Sequence, residues 1–217
     1  LKLTGPDGKR VVTQRWGRND EQRLTWHLSV PLGAREKRSF QLAAYPAAEE
    51  KAERTPKLVC VDDGSQLILT AGDRPILRYH HAIAESPAGI DPAYRQSGHI
   101  HPFYSPGGIE VTDDFPEDHA HQHGIFFPWV NTSFKGRKVD FWNQAKGLGI
   151  IEHEKILATR NGGVFSQFTV AKNHQAHTED GKYEPVLNET WQVRAYDFEG
   201  YYVVDLESRQ RCATKEA

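Results

Sequence analysis

The run Leu187-Asn188-Glu189-Thr190-Trp191-Gln192-Val193 decides the fold class, because its apolar side chains recur at every second position. Such alternation is typical of a half-buried β-strand, in which successive side chains point to opposite faces of the sheet. Similar runs occur at residues 24–30, 164–170 and 202–206, and turn-forming sequences rich in glycine separate the runs. The pattern predicts an all-β protein.

Working outward from this run, we predict strands along most of the chain and one candidate helix at residues 47–53. The long strands near the C-terminal end predict a large antiparallel β-sandwich. We expect residues 1–82 to form an N-terminal β region, and residues 83–217 to hold a His-rich loop and the sandwich. We expect the two parts to form one continuous unit that is truncated at its C-terminal end. Strands are predicted near residues 10–16, 23–30, 37–45, 57–62, 66–71, 74–81, 124–130, 138–142, 150–159, 163–173, 185–197 and 201–209.

The composition excludes several classes of protein. The chain has 217 residues, with 27 Lys and Arg against 29 Asp and Glu, and therefore a net charge of −2. This balance argues against a nucleic-acid-binding module. No apolar stretch approaches the roughly 20 residues that a membrane-spanning helix requires, so no membrane span is predicted. Two cysteines, Cys60 and Cys212, are too few for a disulfide framework.

The histidines are concentrated in one part of the chain. Of 11 histidines, five lie between residues 99 and 123, where even spacing would give 11 × 25/217, or about 1.3. Residues 85–123 also carry five prolines and few alternating runs, which indicates a long ordered loop that forms a site. Outside it, His80, His81, His174 and His177 are interpreted as surface or edge residues. The clustered histidines are His99, His101, His119, His121 and His123.

The spacing of His119, His121 and His123 limits what they can bind together. In a strand, neighbouring members of the set lie about 6.6 Å apart and the outer two about 13 Å apart. In a short helix, His119 and His123 would share a face and His121 would point away. Neither geometry brings all three to one ion, so a metal site would have to recruit His99 or His101. The sequence requires no cofactor; if a divalent metal binds, the candidate ligands are His119, His121 and His101.

Three interpretations of the histidine cluster stay open: metal binding, acid–base chemistry or substrate hydrogen bonding, and a structural role. For acid–base chemistry, all five histidines are candidates, because the imidazole pKa lies near neutral pH. Asp113, Asp114 or Glu189 would supply the carboxylate. Glu189 shares its predicted strand face with Leu187 and Trp191, and a carboxylate on an apolar face is either paired or has a perturbed pKa.

Aromatic rings also lie close to amides and carboxylates in the sequence, a combination that is typical of sugar pockets. Flat rings pack against the apolar face of a sugar, and polar side chains bind its hydroxyl groups. The alternative is that Phe141 and Trp142 belong to the core. The candidate substrate-binding residues are Tyr104, Asp113, Trp129, Asn131, Asp140, Trp142 and Asn143.

Three segments, residues 94–108, 112–125 and 140–142, resemble a bacterial family labelled PmoA-like, or methane oxygenase PmoA-like, which is a domain of unknown function. The resemblance is carried by Ser-Gly-His-Ile-His-Pro-Phe-Tyr-Ser-Pro-Gly-Gly at residues 97–108 and Asp-His-Ala-His-Gln-His-Gly at residues 118–124. It implies a sandwich of the galactose-mutarotase-like supersandwich type, with a jelly roll as the alternative. Members are often exported and accompany sugar-degrading genes. The resemblance therefore implies export to the periplasm or medium, with the cytoplasm as the alternative, and work on carbohydrates.

These observations lead to one functional expectation and two alternatives. We expect a carbohydrate- or glycoside-processing enzyme, a hydrolase, lyase or epimerase, that uses His and carboxylate acid–base chemistry in a sandwich pocket. Its partner would be a small-molecule or glycan substrate and not a nucleic acid, and its oligomeric state is left open. The alternatives are a non-catalytic carbohydrate-binding module and a metal-dependent oxygenase or hydrolase.

Overall fold

The computed structural model describes residues 1–18, 20–28, 30–44 and 57–215 of the chain. Within these ranges the protein is all-β, as the alternation predicts, and every pairing between strands is antiparallel. Helical structure in the described ranges is limited to two short 3-10 turns, Pro92–Tyr94 and Gln144–Lys146. The candidate helix at residues 47–53 lies outside the described residues.

The N-terminal part of the chain forms two small sheets. A three-stranded sheet has the order β2, β1, β5, and β3 and β4 form a hairpin. These strands are β1 (Lys2–Thr4), β2 (Arg10–Val11), β3 (Thr13–Arg18), β4 (Glu21–Trp26) and β5 (Gln41–Ala43).

Two four-stranded sheets dominate the remainder, and in each the strands follow their order in the chain. The first consists of β6 (Leu58–Asp62), β7 (Gln66–Ala71), β8 (Arg74–His80) and β9 (His99–Phe103). A small hairpin of β10 (Thr132–Phe134) and β11 (Arg137–Val139) follows. The second large sheet consists of β12 (Gly149–Arg160), β13 (Ser166–His177), β14 (Tyr183–Phe198) and β15 (Tyr201–Cys212).

The sheets differ from the predicted strands at two places near the histidines. Strand β9 lies inside the segment predicted as a loop, and its consecutive residues His99 and Ile100 are both buried. A strand buried on both faces does not alternate, so its sequence gives no period-two signal. The strand predicted at residues 124–130 is absent, and only Ile125 makes an isolated bridge there, to Ile100. Pro128 cannot donate to a strand ladder, and Gly124 has a positive φ of 54°.

The two large sheets bury one common apolar core. From the first sheet, Leu67, Leu69 and Tyr79 are fully buried, and they belong to the same cluster as Phe168 and Trp191 of the second sheet. Burial of large apolar side chains is the main favourable contribution to folding. The shared core therefore fixes the two sheets against each other.

A second apolar cluster attaches the β10–β11 hairpin to the second sheet. Phe134, Val139 and Phe141 are buried with Ile151 and Ala176, which lie on β12 and β13. This packing holds the segment that leads directly into Trp142. The hairpin thereby determines where one of the candidate substrate-binding aromatic residues lies.

Candidate functional site

A buried cluster of two histidines and one aspartate lies where β9 meets the following loop. His99 Nε2 and His123 Nδ1 donate to the two carboxylate oxygens of Asp114, over 3.1 and 2.7 Å respectively. Both histidines are fully buried, and the Asp114 side chain is 8% exposed. We call these three residues the His-Asp-His cluster. It joins three of the residues that the sequence nominated for chemistry.

The local backbone explains how residues so far apart in the chain meet. His99 pairs with His80 on β8, and the two imidazole rings stack with centroids 4.6 Å apart. Asp114 and His123 form an isolated bridge that closes the loop between them. Gly124 follows, and a Cβ there would lie 2.2 Å from the carbonyl oxygen of Ile100. Only glycine permits this close approach of loop and strand.

Residues 116–122, which carry His119 and His121, form neither of the two conformations weighed from the sequence. Backbone hydrogen bonds run from His119 N to Pro116 O and from Gln122 N to His119 O, so two successive turns replace a strand or a helix. His119 is exposed and pairs with Asp118, whereas His121 is half-buried. In the described residues, no hydrogen bond joins His119 or His121 to the His-Asp-His cluster.

Burial and hydrogen bonding set the charges within the cluster. Burial lowers the pKa of His99 to about 4, and the hydrogen bond to Asp114 only partly opposes this effect. Burial raises the pKa of Asp114, but the hydrogen bonds from His123 and His99 outweigh it and hold that pKa well below its usual range. At neutral pH the cluster therefore contains a carboxylate beside a neutral His99 imidazole.

A second buried carboxylate, Glu189, lies on β14 in the second large sheet. It is 1% exposed and shares its strand face with Trp191, as the alternation predicts. We call Glu189 and its partners the Glu189 network. The partners are His174 (Nε2, 2.8 Å), Lys172 (Nζ, 3.5 Å), Trp191 (Nε1, 2.7 Å), Ser208 (Oγ) and Gln210 (Nε2, 3.1 Å).

The interpretation of His174 as a surface or edge residue is wrong, because this side chain is fully buried against Glu189. Lys172 is buried with it, and its ammonium lies 3.6 Å from the centroid of the Trp191 ring. Burial lowers the pKa of Lys172 to about 8, although the neighbouring Glu189 charge opposes this effect. Burial raises the pKa of Glu189, but the His174 hydrogen bond and the Lys172 charge outweigh it and hold that pKa below its usual range.

An aromatic groove lies over the Glu189 network, with a volume of about 520 Å³. Its floor includes Ser208 and Gln210, the same side chains that donate to Glu189. Trp129 is half exposed at 51%, and its Nε1 donates to Gln210 Oε1 over 2.8 Å. The residues that line the groove are Phe126, Phe127, Pro128, Trp129, Trp142, Ser208 and Gln210.

His121, one of the five candidate histidines, lies beside Trp142 at one wall of this groove. Its ring centroid is 6.3 Å from that of Trp142, and it makes no hydrogen bond within the described part of the chain. Partial burial and the neighbouring His119 and His123 charges lower its pKa. His121 is therefore a half-exposed neutral imidazole beside a wall of the groove.

The other sequence candidates fall into two groups. Asp140 and Asn143 build the turn that carries Trp142. The Asp140 carboxylate accepts from the backbone of Trp142 and Asn143 and from Lys146 Nζ. Burial raises the pKa of Asp140, but these bonds outweigh it and bring that pKa to about 2. The second group, outside the groove lining, consists of His101, which meets Thr112 and Glu110, half-buried Tyr104, and exposed Asp113 and Asn131.

Sequence reasoning missed the polar floor of the groove, formed by Ser208 and Gln210. It also missed two further partners of Glu189, Lys172 and His174. Ser208 and Gln210 continue the alternation of Tyr202, Val204 and Leu206, so the period-two pattern contained a signal for them. Lys172 carried no signal, because a lysine in a predicted strand normally faces solvent.

The residues that could hold a metal ion differ from those expected. One potential ligand atom from each of His99, Asp114 and His123 lies within 4.8 Å of the other two. In the described residues, no such group of three includes His101, His119 or His121. His119 and His121 lie side by side, with ring centroids 5.8 Å apart, and His101 instead meets Thr112 and Glu110.

Comparisons with known proteins identify a family but no activity. No helix in the described ranges is long and apolar enough to cross a membrane. No curated protein and no solved structure matches the chain. The model of a family of unknown function, DUF6807, matches residues 66–217, which contain Asp114, Glu189 and the groove. The match does not carry the PmoA-like label. The chain belongs to this family of unknown function, DUF6807.

Proposed function

We propose that this protein binds a carbohydrate or related glycoside in the aromatic groove and processes it by acid–base chemistry. The single observation that carries the proposal is the pairing of two tryptophan side chains, Trp129 and Trp142, with a hydrogen-bonding floor in a groove of about 520 Å³. Ligand sites of this size are common, and they combine apolar walls with a few positioned polar groups. The PmoA-like resemblance of residues 94–108, 112–125 and 140–142 supports the same substrate class.

The groove supports binding through two kinds of contact. The indole rings offer flat apolar faces to the C–H groups of a sugar ring. The Ser208 hydroxyl and the Gln210 amide offer hydrogen bonds to sugar hydroxyls. Glu189 accepts hydrogen bonds from both side chains and so restricts their orientations. Glu189 is therefore a positioning residue in this proposal, since it lies below the floor and is 1% exposed.

His121 is the residue that we assign to proton transfer. It is half-buried beside Trp142, its pKa is lowered, and its nitrogens are not engaged within the described ranges. A neutral imidazole can accept a proton at neutral pH and return it later in the reaction. His99 and His123 are less suited to contact a substrate, because both are fully buried on Asp114.

Binding is tested by titrating soluble oligosaccharides and polysaccharides into the whole chain by calorimetry. Trp142→Ala and Trp129→Ala should each weaken binding by about tenfold or more. Tyr183→Ala is the matched control, because Tyr183 is an exposed aromatic residue outside the groove lining, and it should bind like the wild type. Unchanged affinity in both tryptophan variants would exclude the groove as the glycan site.

Catalysis is tested separately from binding. His121→Asn should abolish product formation from a bound glycan while its affinity changes little. If the wild type binds a glycan but releases no product in hydrolase, lyase or epimerase assays, the non-catalytic carbohydrate-binding module is the better description. If His121→Asn retains full turnover, the assignment of proton transfer to His121 is wrong.

We also infer that the two large sheets form a β-sandwich of the galactose-mutarotase-like or jelly-roll type. The shared core, in which Tyr79 packs with Phe168 and Trp191, supports facing sheets. An experimental structure with the two sheets edge to edge would contradict this inference.

A further inference from the structure

We propose that His99, Asp114 and His123 bind a divalent transition-metal ion, for which Zn²⁺ is a suitable probe. Each residue offers one ligand atom, and these atoms lie within 4.8 Å of one another. Ligand atoms at about 2.0–2.2 Å from one tetrahedral ion lie about 3.3–3.6 Å apart, so the widest separation in the cluster must close by up to roughly 1.5 Å when an ion binds. This site is independent of the proposed function of the groove.

The donor set selects the class of ion. Two imidazole nitrogens and one carboxylate oxygen suit zinc and other divalent first-row metals. Calcium and magnesium prefer oxygen ligands throughout, and only Asp114 supplies them here. Three protein ligands also leave at least one coordination position for water or a substrate atom, which is the arrangement of catalytic rather than structural zinc sites.

The charge of Asp114 supports a bound cation. Its ion-pair partners in the described part of the chain are His99 and His123, with no lysine or arginine among them. Glu189, by contrast, has the ammonium of Lys172 at 3.5 Å. A buried charge is normally balanced by a paired ion or by a metal. A divalent ion would supply the positive charge that no lysine or arginine among the described residues provides at Asp114.

The outer nitrogens of the two imidazoles allow the rings to become ligands. His99 Nδ1 and His123 Nε2 are buried and have no hydrogen-bond partner among the described residues. Without an ion, the inner nitrogen of each ring donates to Asp114, and no described residue competes for the outer nitrogen. When an ion binds, each ring can carry a proton on the outer nitrogen and present the inner lone pair, so the ion takes the place of the two protons shared with Asp114.

The surroundings hold the ligands and connect them to the groove. The Asp114–His123 bridge and the Ile100–Ile125 bridge fix the two sides of the cluster. The ring of Phe126 contacts His123, with centroids 5.4 Å apart, and also lines the aromatic groove. The proposed metal site and the groove therefore share Phe126 as a wall.

The first experiment measures zinc in the whole wild-type chain. The protein is stripped with a chelator, dialysed against Zn²⁺ and analysed for bound metal. One equivalent is expected, with X-ray absorption at the zinc edge showing two imidazoles and no sulfur. Binding of less than about a tenth of an equivalent would overturn the proposal. A spectrum with fewer than two imidazoles, or with a thiolate from exposed Cys212, would overturn it as well.

The second experiment locates the ion with single substitutions. His99→Gln, His123→Gln and Asp114→Asn should each weaken zinc binding by at least about 100-fold. His81→Gln and His119→Gln remove histidines outside the cluster and should retain one equivalent at wild-type affinity. Loss of zinc in His119→Gln, with retention in His123→Gln, would move the ion to the exposed His119–Asp118 pair and overturn the assignment. The wild-type spectrum decides the question if the cluster variants fail to fold.

Discussion

Two carboxylates of the protein, Glu189 and Asp114, are buried in different ways. Glu189 lies in a regular sheet, directly opposite Lys172 on β13 and Gln210 on β15. Asp114 lies in irregular chain and is held by one strand residue, His99, and one loop residue, His123. In the sheet, strand register alone delivers a cation and several donors to the carboxylate. At Asp114, a strand and a loop each deliver one imidazole donor, with no lysine or arginine among the ion-pair partners in the described residues, which is why we propose the ion at this second carboxylate.

Removing the Glu189 charge should have the largest effect on stability. Glu189→Gln leaves Lys172 buried without its partner, so we expect a loss of about 3–5 kcal/mol in the free energy of unfolding, measured with urea. The matched control is Glu184→Gln on the same strand, whose partly exposed carboxylate pairs with Lys135 and Arg137. The control should lose no more than about 1 kcal/mol. Equal losses in the two variants would mean that burial does not distinguish the Glu189 network.

A methyl group at Gly124 should be the next most damaging change. Gly124→Ala would place a Cβ 2.2 Å from the Ile100 carbonyl oxygen at a positive φ, so we expect a loss of about 2–4 kcal/mol. Gly108→Ala has the same unfavourable sign of φ but no heavy atom within 4 Å of the new Cβ. Its expected loss is about 1 kcal/mol. Thermal unfolding of both variants separates the effect of the steric clash at Gly124 from the effect of the positive φ. Similar losses of stability in the two variants would contradict the close approach of loop and strand.

Replacing Asp114 should cost less than replacing Glu189, because no buried lysine is left behind. Asp114→Asn weakens two hydrogen bonds, and we expect a loss of about 1–3 kcal/mol in metal-free protein by urea unfolding. Asp113→Asn, at the exposed neighbouring position, should change stability by no more than about 0.5 kcal/mol. A loss in Asp114→Asn that exceeds that of Glu189→Gln would reverse the comparison between the two carboxylates.

The pH dependence of stability should reveal the buried lysine. The folded pKa of Lys172 is about 8, and its unfolded pKa is about 10.4. Between these values the unfolded state holds the extra proton, so this group makes the protein more stable as pH rises, by at most about 1.4 kcal/mol per pH unit. Below pH 8 this gain in stability is absent, because Lys172 is then charged in the folded state and its ammonium must be buried.

The measurement compares wild type with Lys172→Met by urea unfolding from pH 7 to pH 11. Other groups titrate in the same range, including Cys60, whose pKa burial raises to about 12, but they occur in both proteins and cancel in the difference. The free energy of unfolding of the wild type should increase relative to that of Lys172→Met as pH increases from 8 to about 10.4. A flat difference would show that Lys172 titrates alike in the folded and unfolded states.

The same two regions show how far the sequence predicts the structure. Alternation in β14 predicted both the strand and the burial of Glu189 with Trp191, because period two is a local property of the chain. The predicted strand at residues 66–71 coincides with β7. The sequence identified the three members of the His-Asp-His cluster as candidate site residues, but it did not predict that they contact one another. It depends on β9, whose consecutive buried residues do not alternate, and on the positive φ of Gly124 and Phe115.

The groove is an intermediate case. Trp129 and Trp142 were selected as substrate-binding aromatic residues, and both line the groove. Its floor could have been predicted from the period of β15, but the approach of Trp129 to that strand could not. Trp129 and Gln210 contact each other in space but are far apart in sequence. Hairpin β10–β11 and strands β12 to β14 lie between them along the chain.

The separation of Trp129 and Gln210 has a consequence for the order of folding. The hydrogen bonds of Asp114 join residues 15 and 9 positions apart, whereas Trp129 and Gln210 are 81 positions apart. Contacts between distant residues require closure of longer loops and form more slowly. A chain emerging from the ribosome can therefore close the loop around Asp114 while β15 is still unsynthesised, but it acquires the groove only when that strand joins the sheet.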